Sequence, residues 1–183
     1  IGIESTTAVV PPGEASKGLD TAATLYEKLV AMAADRHTLV VPVGGGVMGD
    51  LGGFIAATFA RGLPLFMVPT TLLAQVDSSV GGKVGVNLPR VKNIVGAFHQ
   101  PVAVWVDVAA VNDLPDRELR CGLAEVVKHG VILDAPFFAE LEADVDGILA
   151  RRPASLRRIV ARSCEIKADV VSKDEREETG LRA

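Results

Sequence analysis

The sequence predicts an α/β protein in which a parallel, Rossmann-like sheet is followed by an all-helical part. Short apolar runs alternate with helical patterns over residues 21–106, and such alternation is typical of parallel sheets. Residues 107–183 show helical spacing throughout and hold most of the charged side chains. We therefore place a domain boundary between residues 110 and 111.

The first part contains two helical patterns and three strand patterns. The helical patterns cover residues 21–34 and 50–61. An uninterrupted apolar run at residues 38–43 predicts a strand that is covered on both faces. Two further apolar runs predict strands over residues 65–68 and 102–106.

The second part contains three helical patterns. Pro115 suits a first helical turn, and the pattern behind it runs to Gly130. Two more helices are predicted over residues 137–148 and 154–172. The apolar stripe of the helix after Pro115 consists of Leu119, Leu123, Val126 and Val127.

Composition excludes several classes of protein. The chain has 183 residues, of which 49% are hydrophobic, and a net charge of −4, so it is neither disordered nor a general nucleic-acid binder. Its longest uncharged stretch, residues 62–76, contains two prolines and is too short to cross a membrane. Two cysteines are too few for a disulfide framework. We expect a cytoplasmic protein without a membrane or nucleic-acid partner.

A glycine-rich turn follows the first predicted strand. Residues 44–50 read GGGVMGD, and a strand, a glycine turn and a helix in this order direct backbone N–H groups at one point, which suits a diphosphate. The spacing differs from G-x-G-x-x-G, so a purely architectural turn is an equally good interpretation.

Two polar segments follow the next strand. Thr70 and Thr71 can bind a ligand at the strand end, although capping of the next helix is the commoner role. Asp77 follows an apolar helical stretch, and two glycines precede Lys83, whose ammonium could reach an anion. A flexible surface loop explains Lys83 equally well, and we place Lys92 and Asn93 in a further loop.

The helical part holds two unusual placements. Glu125 and Lys128 lie three residues apart beside a mid-helix glycine, Gly122, which suggests close packing, although an exposed ion pair is the simpler interpretation of the two charges. Lys167 lies on an apolar stripe, where it either extends to the surface, which is the commoner outcome, or binds something at an interdomain cleft. The three histidines are never four residues apart, so their spacing predicts no metal site.

Taken in order, these motifs resemble one family, the 3-dehydroquinate synthases of the sugar-phosphate cyclase group. The matching segments are PPGEASK at 11–17, GGGVMGD at 44–50, RG at 61–62, VPTTLLAQVDSSVGGK at 68–83, KN at 92–93, GAF at 96–98, GLAEVVK at 122–128 and ETGLR at 178–182. The resemblance implies a dehydroquinate synthase-like fold, NAD, and a divalent metal (zinc or cobalt). It also implies conversion of 3-deoxy-D-arabino-heptulosonate 7-phosphate, a small phosphorylated sugar acid of the shikimate route, to 3-dehydroquinate and phosphate.

The resemblance also implies roles for individual residues. The cofactor would be contacted by Glu14, Lys17, Gly45, Gly46, Val47, Met48, Gly49, Asp50, Thr70, Thr71, Lys83, Lys92, Ala110, Val111, Asn112 and Asp113. The catalytic and substrate-binding set would be Arg61, Asp77, Lys83, Asn93, Lys128, Lys167 and Arg182, with Arg61 binding phosphate across a homodimer interface. Glu125 would be the metal ligand.

Three departures from the family pattern bear on these expectations. Val91 stands where the family usually has glycine, and the segment after Asp174 is one residue longer than usual. Both ends of the chain interrupt structure, so we expect a fragment whose first strands and two metal-ligand histidines lie outside it. We accordingly expect the chain alone to bind metal poorly and to be inactive, because catalytic zinc takes about three protein ligands.

Three other functions fit part of the pattern. An iron- or zinc-dependent alcohol dehydrogenase of the glycerol-dehydrogenase type shares the fold and the glycine turn, but the lysine set suits a phosphorylated and carboxylated substrate better. A cyclase that acts on a different sugar phosphate would share most of these residues. The third function is that of a non-catalytic nucleotide-binding module.

Overall fold

The strands of the computed structural model, which describes residue 2 and residues 4–179, form a parallel sheet and an antiparallel hairpin. The strands are β1 (Val43–Gly44), β2 (Phe66–Pro69), β3 (Lys83–Leu88), β4 (Val91–Phe98) and β5 (Ala103–Val104). β2 lies between β1 and β5 and is parallel to both. The predicted parallel sheet is therefore confirmed.

The strand predicted over residues 38–43 is mostly absent. Only Val43 and Gly44 form a ladder with β2, and Val40 makes an isolated bridge to Leu65. Leu39 and Val41 are about half exposed, so the prediction of a strand covered on both faces is wrong for the described part of the chain. Backbone hydrogen bonds still join residues 40–44 to residues 64–70. The segment therefore runs beside β2, but its apolar side chains are not covered on both faces.

The β3–β4 hairpin was not predicted. Lys92 and Asn93 lie within β4, so their placement in a loop is wrong, and Lys83 begins β3 instead of lying in a flexible loop. Gly85 and Gly96 face each other, and a Cβ at Gly96 would collide with the backbone of Val84. These glycines let the two strands approach closely, and the hairpin carries Lys83 and Asn93 on one rigid unit.

Helices cover the sheet and form the second part of the chain. They are α1 (Leu19–Ala31), α2 (Gly46–Thr58), α3 (Asp116–Leu133), α4 (Ala135–Ala143), α5 (Val145–Leu149) and α6 (Pro153–Lys173). The single helix predicted over residues 137–148 is two helices, because the backbone leaves the helical conformation at Asp144. The part of the chain that the structure describes has no helix that is long and apolar enough to span a membrane.

The helical part packs onto the sheet through α3 and α6. A core cluster joins Leu72, which follows β2, to Leu119 and Val126 of α3 and to Ile159 of α6. Val127 was predicted on the apolar stripe of α3, but it is exposed. Since α3 and α6 lie against the segment that follows β2, their polar side chains meet the carboxyl end of the sheet.

Gly122 allows this packing. A Cβ at Gly122 would lie 2.6 Å from Leu72 Cβ and 2.7 Å from the backbone nitrogen of Leu73. We expect Gly122→Ala to destabilise the chain, because overpacking costs about 1–3 kcal/mol whereas the gain in helix propensity is about 1 kcal/mol. Gly49→Ala in α2 meets no atom within 4 Å and should stabilise it. Urea unfolding without cofactor measures both, and a Gly122→Ala chain at least as stable as wild type contradicts the packing.

Candidate functional site

The glycine turn lies against the segment that follows β2. Gly45 caps α2 and Gly46 is its first residue. A Cβ at Gly45 would lie 3.0 Å from Thr71 Cγ2, and one at Gly46 would lie 3.2 Å from Ser78 Oγ. The backbone N–H groups at the start of α2 therefore open toward the same space as residues 71–78.

Asp77 is carried on a turn of π-helix, Ala74–Ser78. The fully buried Gln75 donates from Nε2 to Asp107 O at 2.9 Å and to Pro69 O at 3.3 Å. Cys164 of α6 donates from its thiol to Gln75 O at 3.2 Å. Turns of this type are frequent at functional sites. The sequence signal for this π-helical turn was Gln75, a polar residue inside an apolar stretch.

A cleft of about 240 Å³ opens between the π-helical turn that carries Asp77, the β3–β4 hairpin and α6. Lys167 enters it from α6 and pairs with Asp77. Lys167 thus binds a carboxylate in a cleft, which is the second of its two predicted roles. The cleft is lined by Asp50, Asp77, Ser78, Val80, Lys83, Val84, Gly85, Asn93 and Lys167.

Glu125 reaches the same place from α3. Its side chain is only 16% exposed, whereas Lys128, with which it pairs, is 53% exposed, so the interpretation as an exposed ion pair is wrong for the glutamate. One oxygen of Glu125, one of Asp77 and one ring nitrogen of His129 lie within 4.8 Å of one another. These three side chains form the one group of metal-ligand type found among the described residues.

His129 is the member of this group that the sequence analysis missed. It lies one helical turn after Glu125, and its Nε2 is 3.4 Å from Glu125 Oε1. Burial lowers the pKa of His129, against the opposing effect of the Glu125 carboxylate. The available signal was the four-residue spacing of glutamate and histidine, since spacing was compared only between histidines.

The donors of this group fit a divalent metal. Glu125 Oε1 and His129 Nδ1 are buried and make no hydrogen bond of good geometry with any residue that the structure describes. A carboxylate oxygen and an imidazole nitrogen are both ligands that zinc and cobalt accept. Glu125 is therefore suited to bind a divalent metal, with Asp77 and His129 close beside it.

A second polar cluster lies at the other end of the cleft. Lys17, which is 4% exposed, pairs with Asp50 and donates to Asn93 Oδ1. Burial raises the pKa of Asp50 in spite of that ammonium. Glu14 accepts a hydrogen bond from Asn87 Nδ2 at 2.8 Å, which lowers the pKa of Glu14, and Lys92 lies 3.8 Å from it.

Several predicted site residues lie outside these clusters. Thr71 accepts a hydrogen bond from Ala74 N at 3.2 Å, which is a capping contact, while the Met48 side chain packs against Gly44. The side chain of Val111 is fully buried in the helical core. Arg61 is exposed at the end of a short 3-10 turn and does not line the cleft. Arg182 lies outside the described residues.

The remaining predicted residues lie near the glycine turn, around residues 110–113 and at the start of β3. Val47, Gly49 and Thr70 are half-buried near the glycine turn. Ala110, Asn112 and Asp113 lie at and after the short 3-10 helix Val108–Val111. Lys83 is half exposed at the start of β3 and pairs with Glu177.

Two family models match the chain consecutively. The model of the 3-dehydroquinate synthase N-terminal part matches residues 7–121, and that of the C-terminal part matches residues 122–183. A 3-dehydroquinate synthase of Symbiobacterium thermophilum is 58% identical over 182 residues, which is all of this chain and 51% of that protein. The chain therefore spans about half the length of this curated relative.

Solved structures of related cyclases share the fold. A 2-deoxy-scyllo-inosose synthase, complexed with carbaglucose-6-phosphate, NAD⁺ and Co²⁺, is 35% identical, with a TM-score of 0.86 over 93% of this chain and 47% of that one. The 2-epi-5-epi-valiolone synthase of Streptomyces hygroscopicus, with NAD⁺ and Zn²⁺ bound, is 27% identical, with a TM-score of 0.88 over 93% of this chain and 48% of that one. From the consecutive matches of both family models, the chain belongs to the 3-dehydroquinate synthase family.

Proposed function

We propose that this chain forms the cofactor- and metal-binding part of a 3-dehydroquinate synthase. Such an enzyme would convert 3-deoxy-D-arabino-heptulosonate 7-phosphate to 3-dehydroquinate and phosphate. The observation that carries the proposal is the convergence of Glu125, Asp77 and Lys167 beside the glycine turn. The 58% identity to a named synthase supports the choice of substrate.

NAD would bind along the glycine turn. The start of α2 offers free N–H groups and a positive helix end to the diphosphate. The polar cluster around Lys17 would lie beside the cofactor. Lys17 is held there by Asp50 and Asn93, and Glu14 is held by Asn87. The two related cyclases of known structure have NAD⁺ bound, which supports the same cofactor here.

A divalent metal, zinc or cobalt, would bind at Glu125. The metal would polarise an oxygen of the substrate, and NAD would accept and return a hydride. Glu125 supplies a buried oxygen for the metal, and Asp77 lies within ligand distance of the same point. The chain's own residues thus bring the negative charge that a dication requires.

Two lysines of the cleft, Lys83 and Lys167, and Lys128 beside Glu125 would bind the anionic groups of the substrate. Lys83, Lys128 and Lys167 each pair with a carboxylate of the chain. A phosphate or carboxylate of the substrate would replace those partners, because ammonium groups bind phosphate through short charge-assisted hydrogen bonds. A simple alcohol has no anion to place there, which disfavours a glycerol-dehydrogenase activity.

The wider organisation follows the same proposal. Residues 1–110 would hold most of the cofactor, and residues 111–183 would begin the metal and substrate part. Arg61 is exposed just after the C-terminal end of α2. In a homodimer it would reach the phosphate in the partner's cleft. The enzyme would work in the cytoplasm.

A chimera tests this function. We call the completed enzyme the Symbiobacterium synthase in which this chain replaces the matching 182 residues. With NAD⁺ and Co²⁺ it should release one phosphate for each 3-dehydroquinate formed, without net NADH. The 183-residue chain alone should show no turnover.

Three results contradict the proposal. A folded completed enzyme that binds NAD⁺ but releases no phosphate shows that this chain does not support the reaction. NADH that accumulates in step with product assigns a dehydrogenase instead. Turnover only with another sugar phosphate assigns a different cyclase of the same group.

A further inference from the structure

We propose that His129 is a positioning residue that holds the carboxylate of Glu125 in the orientation needed to bind the metal. This inference rests on the proposed function, because it takes Glu125 as the metal ligand. It assigns a role to a side chain that lies beside the ligand and is one turn away on the same helix.

The geometry of α3 places the ring at the carboxylate. His129 follows Glu125 by four residues, so both side chains lie on one face of the helix. Its Nε2 is 3.4 Å from Glu125 Oε1, and its side chain is 5% exposed. A Cβ at the neighbouring Gly130 would lie 3.0 Å from Phe138 Cβ, so α4 packs closely against this turn. The His129 ring is thus buried on a helix whose next residue packs against α4.

Lys128 approaches the same oxygen but is less suited to hold it. Its side chain is 53% exposed, so it can turn away toward a substrate anion. An ammonium at Glu125 would also repel a dication bound there, whereas an imidazole that donates a neutral N–H would not. Lys167 and Asp77, the other charges near the ring, pair with each other. His129 is thus the neighbour that can stay in place when the metal binds.

The distance between the ring and the carboxylate agrees with this role. Glu125 Oε1 makes no hydrogen bond of good geometry with any described residue, although Nε2 is 3.4 Å away. A small shift of the carboxylate toward the ring would complete that hydrogen bond and leave the second oxygen for the metal. Partners of this kind orient metal ligands in many proteins, and their loss typically reduces metal affinity about 10–100-fold.

Three substitutions in the completed enzyme test the inference. The amide nitrogen of Gln reaches about as far along the side chain as Nε2, whereas that of Asn reaches about as far as Nδ1. We expect His129→Gln to keep Co²⁺ affinity close to that of wild type. His129→Asn and His129→Phe should weaken Co²⁺ binding by about 10–100-fold. Binding is measured by competition with a chelator, and folding is checked by circular dichroism.

The Co²⁺ absorption spectrum at saturation provides the second readout. We expect the same band positions for wild type and His129→Gln, because positioning changes affinity and leaves the ligand set intact. Altered bands in the Gln variant would show direct coordination by His129 and overturn the inference. Equal affinities of the Gln and Asn variants, or a loss of thermal stability without a change in Co²⁺ affinity, would also overturn it. If wild type binds no Co²⁺ at all, the proposed function itself fails.

Discussion

Replacement of Glu125 by glutamine in the completed enzyme should abolish metal-dependent turnover and weaken Co²⁺ binding by more than about 100-fold, since loss of a direct ligand costs more than loss of an outer partner. Glutamine has the same size, so the packing of α3 is preserved. It removes the charge that lies within 4.8 Å of Asp77 and His129. The measurements are phosphate release with added Co²⁺ and Co²⁺ affinity by chelator competition.

Glu118→Gln is the matched control. Glu118 lies in the first turn of the same helix and is exposed, so its substitution should leave Co²⁺ affinity unchanged. NAD⁺ affinity should stay close to wild type in both variants, because the glycine turn is intact. An E125Q enzyme that keeps its Co²⁺ affinity would show that the metal, if present, binds elsewhere.

Replacement of Lys17 by methionine should destabilise the chain by about 3 kcal/mol at neutral pH, a cost typical of removing one partner of a buried ion pair. The ammonium of Lys17 is buried and meets both Asp50 and Asn93. Without it, the Asp50 carboxylate would lose its cation, and the pKa of Asp50, which burial already raises, would rise further. Urea unfolding measures this loss.

The pH dependence of this variant has a definite sign. A carboxyl group whose pKa is higher in the folded chain is stabilising while it is protonated, and that contribution is lost as pH rises through the folded pKa. The destabilisation by Lys17→Met should therefore shrink as the pH falls toward the raised pKa of Asp50. Adding Asp50→Asn should restore part of the stability at neutral pH. Lys28→Met, at an exposed position of α1, should have little effect.

A different pattern would contradict this account of Lys17. If the Lys17→Met and Asp50→Asn changes add without coupling, the two side chains do not act as a pair. If the destabilisation is independent of pH between acid and neutral conditions, Asp50 does not carry the uncompensated charge.

Residues of an unexpected type were the best predictors of long-range structure. Gly122 in mid-helix indicated close packing, and Leu72 lies there. Lys167 on an apolar stripe left binding in a cleft as one of two alternatives, and Asp77 meets it there. In both cases one residue conflicts with its local pattern, and the conflict is resolved by a partner that lies far away in sequence.

The features that were missed depend on backbone register or on tertiary contact. The β3–β4 hairpin pairs Gly85 with Gly96. β3 alternates apolar side chains at Val84, Val86 and Leu88, but β4 shows no such alternation, so the pairing itself is not visible in the sequence. The π-helix at Ala74–Ser78 adds a residue to one turn, which helical periodicity does not report. His129 gains its importance from Glu125 and from Asp77, which lies 52 residues earlier in the chain. The spacing within α3 could have linked His129 to Glu125, but no pattern within one segment contains the approach of Asp77.

The central claim is the proposal that NAD binds at the glycine turn and the metal at Glu125, on either side of the segment that carries Asp77 and Ser78. The most direct measurement is the effect of Co²⁺ on the proton NMR signals of NAD⁺ bound to the completed enzyme. We predict strong paramagnetic broadening of those signals, which disappears in the E125Q variant at the same Co²⁺ concentration. Sharp NAD⁺ signals from an enzyme that has bound both NAD⁺ and Co²⁺ would place the two sites apart and contradict the claim.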